Sequence, residues 1–260
     1  MKIIRYKHKL RNPHFGWVFQ DRVGDIEGDP FGEFRRFDPE FNLDEIEILT
    51  PCQPTKIICV GRNYLEHAKE HDVELPEMPL LFLKPTSSLI AAGKQIVLPP
   101  QTKVVEHEAE LAVVIKKAGR WIKPESAADY ILGYTIGNDV TARDLQRRDG
   151  QWTRAKGFDT FCPLGPWIET EFDASDALIT CHVDDELRQM TSTRDMVFSI
   201  PQIISYASSI MTLLPGDVIL SGTPAGVGPL RAGNTVSINI EGIGKLSNPV
   251  IEETFKTERE

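Results

Sequence analysis

The stretch EHEAELAVVI, from Glu106 to Ile115, runs three alternating carboxylates directly into an apolar segment. If it forms a β-strand, Glu106, Glu108 and Glu110 lie on one face, because successive side chains of a strand point to opposite faces. The glutamate face then continues as alanine and valine, so both faces become apolar within a few residues. The segment therefore predicts a strand that enters the core and carries like charges at its entrance.

The charges at this entrance need either compensation or water. Carboxylates at positions i and i+2 lie about 7 Å apart at Cα, close enough for two side chains to converge on one ion. Desolvating neighbouring like charges is costly unless a cation or protons compensate, which favours a hard divalent cation. The alternative is an edge strand whose glutamates face water, and this stretch alone does not decide between the two.

A second segment, YTIGNDVTARDLQRR (residues 134–148), favours the metal site. A β-like strand ends at Asp139, and an acid at a strand end is a common position for a third metal ligand. Between residues 141 and 156, five basic residues stand against two acids, although the whole chain has a net charge of −9. This local patch suits a small carboxylate ligand. A solvated helix face would carry similar charges, and Arg147 and Arg148 are assigned to such a face.

The segment GRNYLEHAKEH (residues 61–71) predicts a helix that begins after Asn63. His67 and Glu70 are spaced i and i+3, so their side chains can touch, and a glutamate that accepts a proton from imidazole makes the other ring nitrogen a better base. His67 to His71 also spells H-x-x-E-H, an inverted zinc-protease motif. Zinc would leave the strand carboxylates unexplained, and a plain polar surface helix is a third interpretation. The bound metal would discriminate between the first two.

Two further polar features lie near predicted strand ends. GDVILSGTPAGVGP (residues 216–229) is a strand followed by a glycine-rich turn that contains Gly222 and Thr223. Its glycine spacing matches neither a dinucleotide nor a phosphate loop, but a backbone cradle for a carboxylate is open to it. Lys156 lies between Trp152 and Phe158, which predicts either partial desolvation or a lysine that extends along the aromatic surface to water.

Composition excludes several classes of partner. The 260 residues carry a net charge of −9, whereas nucleic acids and anionic membranes need a dominant positive field. No apolar run approaches the roughly 18 residues of a membrane span, and the basic residues 1–11 lack the apolar segment of a signal peptide. Four cysteines without C-x-x-C pairing, one of them in the apolar run KIICVG, predict buried thiols in a cytoplasmic protein.

Two units are predicted along the chain. Residues 1–54 form a small N-terminal domain plus linker, because residues 1–50 hold six of the twelve phenylalanines and Pro51 and Pro54 stiffen the connection. Residues 55–260 form the main domain, with short β-like segments separated by turn signals. Only two helices are predicted, one after Asn63 and one after Ser199. This pattern predicts a mainly β, α+β fold without alternating βαβ units.

Six motifs in collinear order resemble the fumarylacetoacetate hydrolase family. They are VGRNYLEH, LFLKPTSSL, VEHEAELAVVI, GYTIGNDVTARDLQ, WTRAKGFDTFCPLGPW and ILSGTPAGVGP. The resemblance runs from about residue 56 to the C-terminus and implies a mixed β-roll fold, a homodimer and one Mg²⁺ or Mn²⁺. It also implies that Glu108, Glu110 and Asp139 are the metal ligands. Glu106 is not a usual ligand of the family and is left as a bystander.

The resemblance also assigns the remaining site residues. His67 and Glu70 match the His–Glu dyad of the acylpyruvase and decarboxylase members. Arg143, Gln146, Lys156 and Thr223 match residues that hold the substrate, and Gly222 is predicted to join them. The first 50 residues resemble the small N-terminal domain of some bacterial members, to which no chemistry is assigned.

The implied substrate is a small anionic 2-oxo or 2,4-dioxo acid, and the metal would stabilise its enolate. His67, oriented by Glu70, would activate water for C–C hydrolysis of an acylpyruvate, whereas decarboxylation of oxaloacetate needs no water. The alternative is isomerisation or tautomerisation, with Lys156 as a proton relay. The dyad favours cleavage, because an isomerase needs no activated water. A non-enzymatic alternative is a metal-dependent dicarboxylate-binding protein.

Overall fold

Strands dominate the computed structural model, which describes residues 1–9, 12–70 and 74–254. In the N-terminal region they are β1 Lys2–Lys7, β2 His14–Phe19, β3 Arg22–Gly28, β4 Phe34–Arg36, β5 Phe41–Asn42 and β6 Glu47–Ile48. In the remainder they are β7 Ile57–Gly61, β8 Leu80–Lys84, β9 Leu89–Ile90, β10 Ile96–Leu98, β11 Val105–His107, β12 Ala109–Ile115, β13 Ile131–Asn138, β14 Thr141–Ala142, β15 Cys162–Glu169, β16 Leu178–Val183, β17 Glu186–Ser192, β18 Val218–Leu220, β19 Gly228–Pro229, β20 Thr235–Ile240 and β21 Gly244–Glu252. The predicted mainly β, α+β fold is confirmed.

The α-helices in the described residues are α1 Leu65–Glu70, α2 Arg143–Asp149, α3 Thr153–Lys156 and α4 Ile200–Ile210, and short 3-10 helices span Leu43–Glu45, Thr86–Ser88, Pro124–Tyr130 and Thr193–Asp195. Both predicted helices are present, but Asn63 does not cap α1. Its side chain instead bonds Ser221 O and the backbone of Phe198, which ties the start of α1 to two other segments. The expectation of only two helices was wrong, because α3 is a single turn and α2 buries only Arg143 and Leu145, too few residues for a visible apolar stripe.

The largest sheet has thirteen strands, in the order β4-β3-β2-β1-β15-β13-β12-β18-β7-β8, with β5, β6 and β9 paired beside this path. Strand β12 lies between β13 and β18, and all seven of its residues are buried. Leu111, Val113 and Ile115 pack into one apolar cluster, while Ala112 and Val114 pack into another. The apolar run of the opening stretch is therefore a central strand with a core on each face.

The predicted single strand from Glu106 to Ile115 is interrupted at Glu108. Strand β11 belongs to a three-stranded sheet, β14-β11-β19, and β12 to the large sheet. At the interruption, the Glu108 amide donates to Asn138 Oδ1 at 2.9 Å, and the Asp139 amide donates to Glu108 O at 2.9 Å. Because the Glu108 amide takes a side-chain acceptor instead of a strand partner, the chain changes sheets at this residue.

The N-terminal region extends the large sheet. Strand β1 pairs antiparallel with β15 through Lys2 opposite Glu169 and Ile3 opposite Ile168. The region also has a small apolar cluster of its own, which contains only one of the six phenylalanines, Phe41. Phe19 and Phe37 are exposed instead. The boundary near residue 54 stays a prediction, and the pairing shows that the first strands are continuous with the main sheet.

The third sheet has five strands, in the order β10-β21-β20-β16-β17. Its inner residues and the buried face of α4 join the largest apolar cluster, which also receives one face of β12. Helix α4 begins at a capping box formed by Ser199 and Gln202. Among the residues that the structure describes, no helix is long and apolar enough to cross a membrane.

Candidate metal centre and catalytic cavity

The three predicted metal ligands converge. Glu108 lies at the interruption before β12, Glu110 lies on β12, and Asp139 directly follows β13, which pairs with β12 through Ala109 opposite Asn138. Each residue offers one carboxylate oxygen, and these three oxygens lie within 4.8 Å of one another. All three side chains are buried. The interpretation of an edge strand whose glutamates face water is therefore wrong for Glu108 and Glu110.

Two buried ammonium groups contact this carboxylate trio. Lys156 Nζ lies 2.7 Å from Glu108 Oε2 and 2.6 Å from Asp139 Oδ2. Lys84 Nζ lies 2.6 Å from Asp139 Oδ1. Lys84 was missed in the sequence, where its only signal is a lysine that ends the apolar strand LLFLK before a proline. Lys156 is buried and packs 5.0 Å from the ring centre of Phe82, so it does not extend to water.

The electrostatics of the trio favour a cation. Burial, together with the charges of Asp139 and Glu108, raises the pKa of Glu110 well above its usual range. Burial opposes ionisation of Glu108 too, but Lys156 and Arg143 outweigh it and lower the pKa of that carboxyl. Ionisation of Glu110 beside the other two carboxylates is therefore unfavourable unless a bound cation offsets its charge. An all-oxygen donor set of this kind fits a hard divalent cation such as Mg²⁺ or Mn²⁺.

Arg143 links the trio to the helix α2. Its Nε donates to Glu106 Oε2 at 2.6 Å, its second terminal nitrogen to Glu108 Oε1 at 2.6 Å, and its first terminal nitrogen to Gln146 Oε1 at 2.5 Å. The assignment of Glu106 as a bystander was therefore wrong, because Glu106 orients the guanidinium that holds Glu108. Arg143 and Gln146 do lie together, as predicted for substrate-binding residues.

The predicted dyad faces the same cavity from α1. His67 Nδ1 lies 3.2 Å from Glu70 Oε2, and Glu70 Oε1 accepts from the Gly226 amide at 3.1 Å. Because Nδ1 donates to the carboxylate, the neutral ring carries its lone pair on Nε2. Burial lowers the pKa of His67, against the opposing effects of Glu108 and Glu70. The zinc interpretation stays untested, since His71 lies outside the described residues.

Gly222 and Thr223 lie beside the trio, and both are already bonded within the protein. The Gly222 amide donates to Glu110 Oε2 at 2.7 Å. Gly222 has φ +98°, and a Cβ there would lie 2.7 Å from that of Asn63, so the position requires glycine. Thr223 Oγ1 accepts from Gln189 Nε2 at 2.8 Å and donates to Ala109 O at 3.0 Å. Gly222 therefore orients a carboxylate of the protein.

Gln189, on β17, was missed by sequence reasoning. Its Oε1 accepts from the Ala109 amide at 3.1 Å and lies 3.1 Å from His107 Nδ1, while its Nε2 donates to Pro224 O at 2.8 Å as well as to Thr223. Two backbone partners, one donor and one acceptor, therefore fix the orientation of this amide. Gln189 lies in the polar strand sequence ELRQMTS, where no local pattern marks it as buried.

All the predicted site residues except Gly222 line one cavity of about 430 Å³, a volume suited to a small ligand. Its lining residues are Val60, Gly61, Arg62, His67, Glu70, Phe82, Glu108, Glu110, Asp139, Arg143, Gln146, Arg147, Trp152, Lys156 and Thr223. Arg147 is exposed, as its assignment to a solvated helix face predicted, but it also contributes to the rim of the cavity. Arg148 pairs with Asp149 outside, 3.5 Å away.

Comparison with known proteins identifies the family. Residues 56–251 match the family described as fumarylacetoacetate (FAA) hydrolase, C-terminal. The chain belongs to this family. Residues 1–51 match a second family, described as Rv2993c-like, N-terminal. Human mitochondrial oxaloacetate tautomerase is 42% identical over 226 residues, which cover 82% of this chain and 72% of that protein.

Two solved structures of this family show the same fold along nearly the whole chain. One is 2-hydroxyhepta-2,4-diene-1,7-dioate isomerase from Mycobacterium marinum, with a TM-score of 0.91, 40% identity, and coverage of 98% of this chain and 100% of that one. The other is maleylpyruvate hydrolase from Sphingobium in complex with Mn²⁺ and pyruvate, with a TM-score of 0.81, 30% identity, and the same coverage. The fumarylacetoacetate hydrolase fold thus accompanies both isomerase and hydrolase chemistry.

Proposed function

We propose that the protein catalyses metal-dependent proton transfer on small 2-oxo acids and interconverts their keto and enol forms. The carrying observation is that one cavity joins three buried carboxylates, a buried ammonium and a histidine of lowered pKa. The relatives named as tautomerase and isomerase support proton transfer over bond cleavage. This order reverses the preference for cleavage that the dyad alone suggested.

The residues suit the two halves of a tautomerisation, in which carbon loses a proton and the 2-oxo oxygen gains one. His67 would take the proton from the carbon next to the 2-oxo group, since its lowered pKa keeps the ring neutral near pH 7. Lys156 would donate near the oxygen, because its ammonium lies against Glu108 and Asp139. Mg²⁺ or Mn²⁺ held by Glu108, Glu110 and Asp139 would supply Lewis-acid stabilisation of the enolate.

Hydrolysis of a 2,4-dioxo acid is the second candidate, and the His67–Glu70 contact supports it. In this reaction the oxygen of water joins the C4 carbonyl carbon, the C3–C4 bond breaks, and C3 takes a proton to give pyruvate. His67 would remove the proton of the attacking water. Decarboxylation of oxaloacetate would also give pyruvate, together with CO₂ and without water.

One assay separates these reactions. The protein is incubated with Mg²⁺ and either oxaloacetate or acetylpyruvate, and enol absorbance and pyruvate are followed together against a protein-free control. Tautomerisation predicts faster keto–enol equilibration without pyruvate, whereas hydrolysis and decarboxylation both predict pyruvate. Metal-dependent binding without any conversion would refute the proposed enzyme and favour a dicarboxylate-binding protein.

We further propose, on the family resemblance, that the protein is a homodimer. Light scattering during size-exclusion chromatography measures this directly. A mass near twice that of the 29.2 kDa chain supports the dimer, and the mass of a single chain would contradict it. The predicted cytoplasmic location stays a prediction.

A further inference from the structure

Arg62 lies in the cavity wall and has no anionic partner among the described residues. It directly follows β7, is half-buried and lines the cavity. Its side chain makes no hydrogen bond or ion pair with any residue in the described parts of the chain. Its φ is +58°, a conformation that residues other than glycine rarely adopt and that is enriched at ligand sites. The backbone therefore holds a charged side chain at the cavity in a costly conformation.

Arg147 is a second such cation. It lines the cavity from α2, and in residues 1–9, 12–70 and 74–254 it has no ion-pair partner. The neighbouring basic residues differ, since Arg148 and Arg154 both pair with Asp149, and Arg143 donates to two glutamates and Gln146. Among the guanidinium groups that line the cavity, Arg143 is thus engaged, while Arg62 and Arg147 retain their donors.

The charges around the cavity show what these donors would bind. Its lining includes four cationic side chains and four carboxylates: Arg62, Arg143, Arg147 and Lys156, against Glu70, Glu108, Glu110 and Asp139. Behind the cavity wall, the positive charge of the buried Lys84 and the negative charge of the half-buried Glu106 sum to zero. A divalent cation on the trio would therefore leave an excess of two positive charges. A ligand with two negative charges would neutralise the loaded cavity, whereas a monoanion would leave one charge unbalanced.

We infer that Arg62, assisted by Arg147, binds the second carboxylate of a dicarboxylic 2-oxo acid and so sets the substrate class. The inference rests on the proposed function, in which the 2-oxo end of the ligand lies at the carboxylate trio. A guanidinium suits the other end because its planar fork can donate two parallel hydrogen bonds to one carboxylate. Arg62 and Arg147 are then specificity-determining residues that distinguish dicarboxylic from monocarboxylic 2-oxo acids.

A matched pair of 2-oxo acid ligands tests this inference by binding alone. 2-Oxoglutarate and 2-oxopentanoate have the same chain length and differ in the distal carboxylate. Calorimetric titration of the Mg²⁺-loaded protein is expected to show at least about tenfold tighter binding of 2-oxoglutarate, the effect of a charge-assisted hydrogen bond. Arg62→Gln should abolish most of that preference while the affinity for 2-oxopentanoate is retained. Arg147→Gln should reduce it less, because Arg147 is the more exposed.

Two controls separate charge from fold. Arg148→Gln removes a neighbouring cation that pairs outside the cavity and should leave the preference intact, whereas Arg62→Lys, which keeps the charge but loses the fork, should retain part of it. The inference would be overturned if Arg62→Gln kept the full preference for 2-oxoglutarate, or if the unaltered protein showed no such preference. If neither ligand binds in a metal-dependent way, the proposed function fails instead. Metal-dependent binding of both ligands with equal affinity would sink only the role of Arg62.

Discussion

The inner wall of the cavity, formed by Glu108, Glu110, Asp139 and Lys156, is held differently from the outer wall, formed by His67 and Glu70. The three inner carboxylates lie on or directly beside central strands and Lys156 ends the single turn α3, and each of the four is bonded to at least one group from another segment. The outer residues lie on α1, a helix of six described residues that is too short to be stable by itself. Substitutions in the inner wall should therefore change both stability and metal binding, whereas substitutions in the outer wall should change chemistry alone.

The largest effect is expected at Asp139. Asp139→Asn would leave the ammonium groups of Lys84 and Lys156 buried with one fewer counter-charge, so we expect a loss of about 3–5 kcal/mol in the free energy of unfolding. Metal-dependent turnover should vanish as well. Urea denaturation measures the stability, and Mn²⁺ titration measures the metal site. Asp176→Asn, at an exposed ion pair, should leave both unchanged, and normal Mn²⁺ binding by Asp139→Asn would contradict the ligand assignment.

In the outer wall we expect the opposite pattern, a loss of turnover without a loss of stability or metal binding. His67→Ala should lower kcat by about 100-fold or more, since general bases contribute factors of roughly 10²–10⁴. Mn²⁺ affinity and the melting temperature should remain close to those of the unaltered protein. Lys69→Ala, an exposed position on the same helix, serves as the control for helix content. Unchanged turnover in His67→Ala would exclude it as the base, and lost Mn²⁺ binding would erase the contrast between the walls.

A substitution at the buried Gln189 tests whether its hydrogen bond to Thr223 matters for ligand binding as well as for stability. Gln189→Glu can still accept from the Ala109 amide but cannot donate to Thr223 Oγ1 or Pro224 O, so we expect a loss of about 2 kcal/mol in stability. KM should rise by about tenfold with a smaller change in kcat if Thr223, which lines the cavity, binds the substrate as predicted. A fall in stability without any change in KM would make Gln189 purely structural. The exposed Glu186→Gln on the same strand is the control.

The smallest expected effect is a shift in pH dependence at the outer wall. The pKa of His67 is lowered by burial, so the base stays neutral to below its usual 6.5 and kcat/KM should fall only as pH drops through that lowered pKa. Glu70 raises the pKa of His67, and Glu70→Gln should therefore move this acid limb to still lower pH. An NMR titration of His67 checks the same shift without turnover. Movement of the limb to higher pH would refute the Glu70–His67 coupling.

Sequence reasoning predicted local chemistry better than remote contacts. The alternating glutamates before LAVVI and the strand end at Asp139 indicated a metal site, because both are local patterns, and the family resemblance then singled out Glu108, Glu110 and Asp139. The salt bridge from Lys84 and the amide of Gln189 come from strands far away in the chain, and no local periodicity encodes them. The pairing of β1 with β15 is equally remote, so the continuity of the N-terminal region with the large sheet could not be predicted. That the exposed Arg147 also reaches the cavity rim could not be predicted, because charge alone does not tell which face of α2 meets the cavity.

Because the chain changes sheets at Glu108, the proposed metal ion would link metal binding to the stability of the junction between two sheets. Glu108 lies where the three-stranded sheet gives way to the large one, while Glu110 lies on β12 of the large sheet and Asp139 directly follows its strand β13. An ion on all three carboxylates would tie the two sheets together at their junction. Ligands that bind only the folded state add stability, about 2.7 kcal/mol at a free concentration 100 times Kd. Metal supply would then regulate how long the protein survives heat and proteolysis, as well as how fast it turns over.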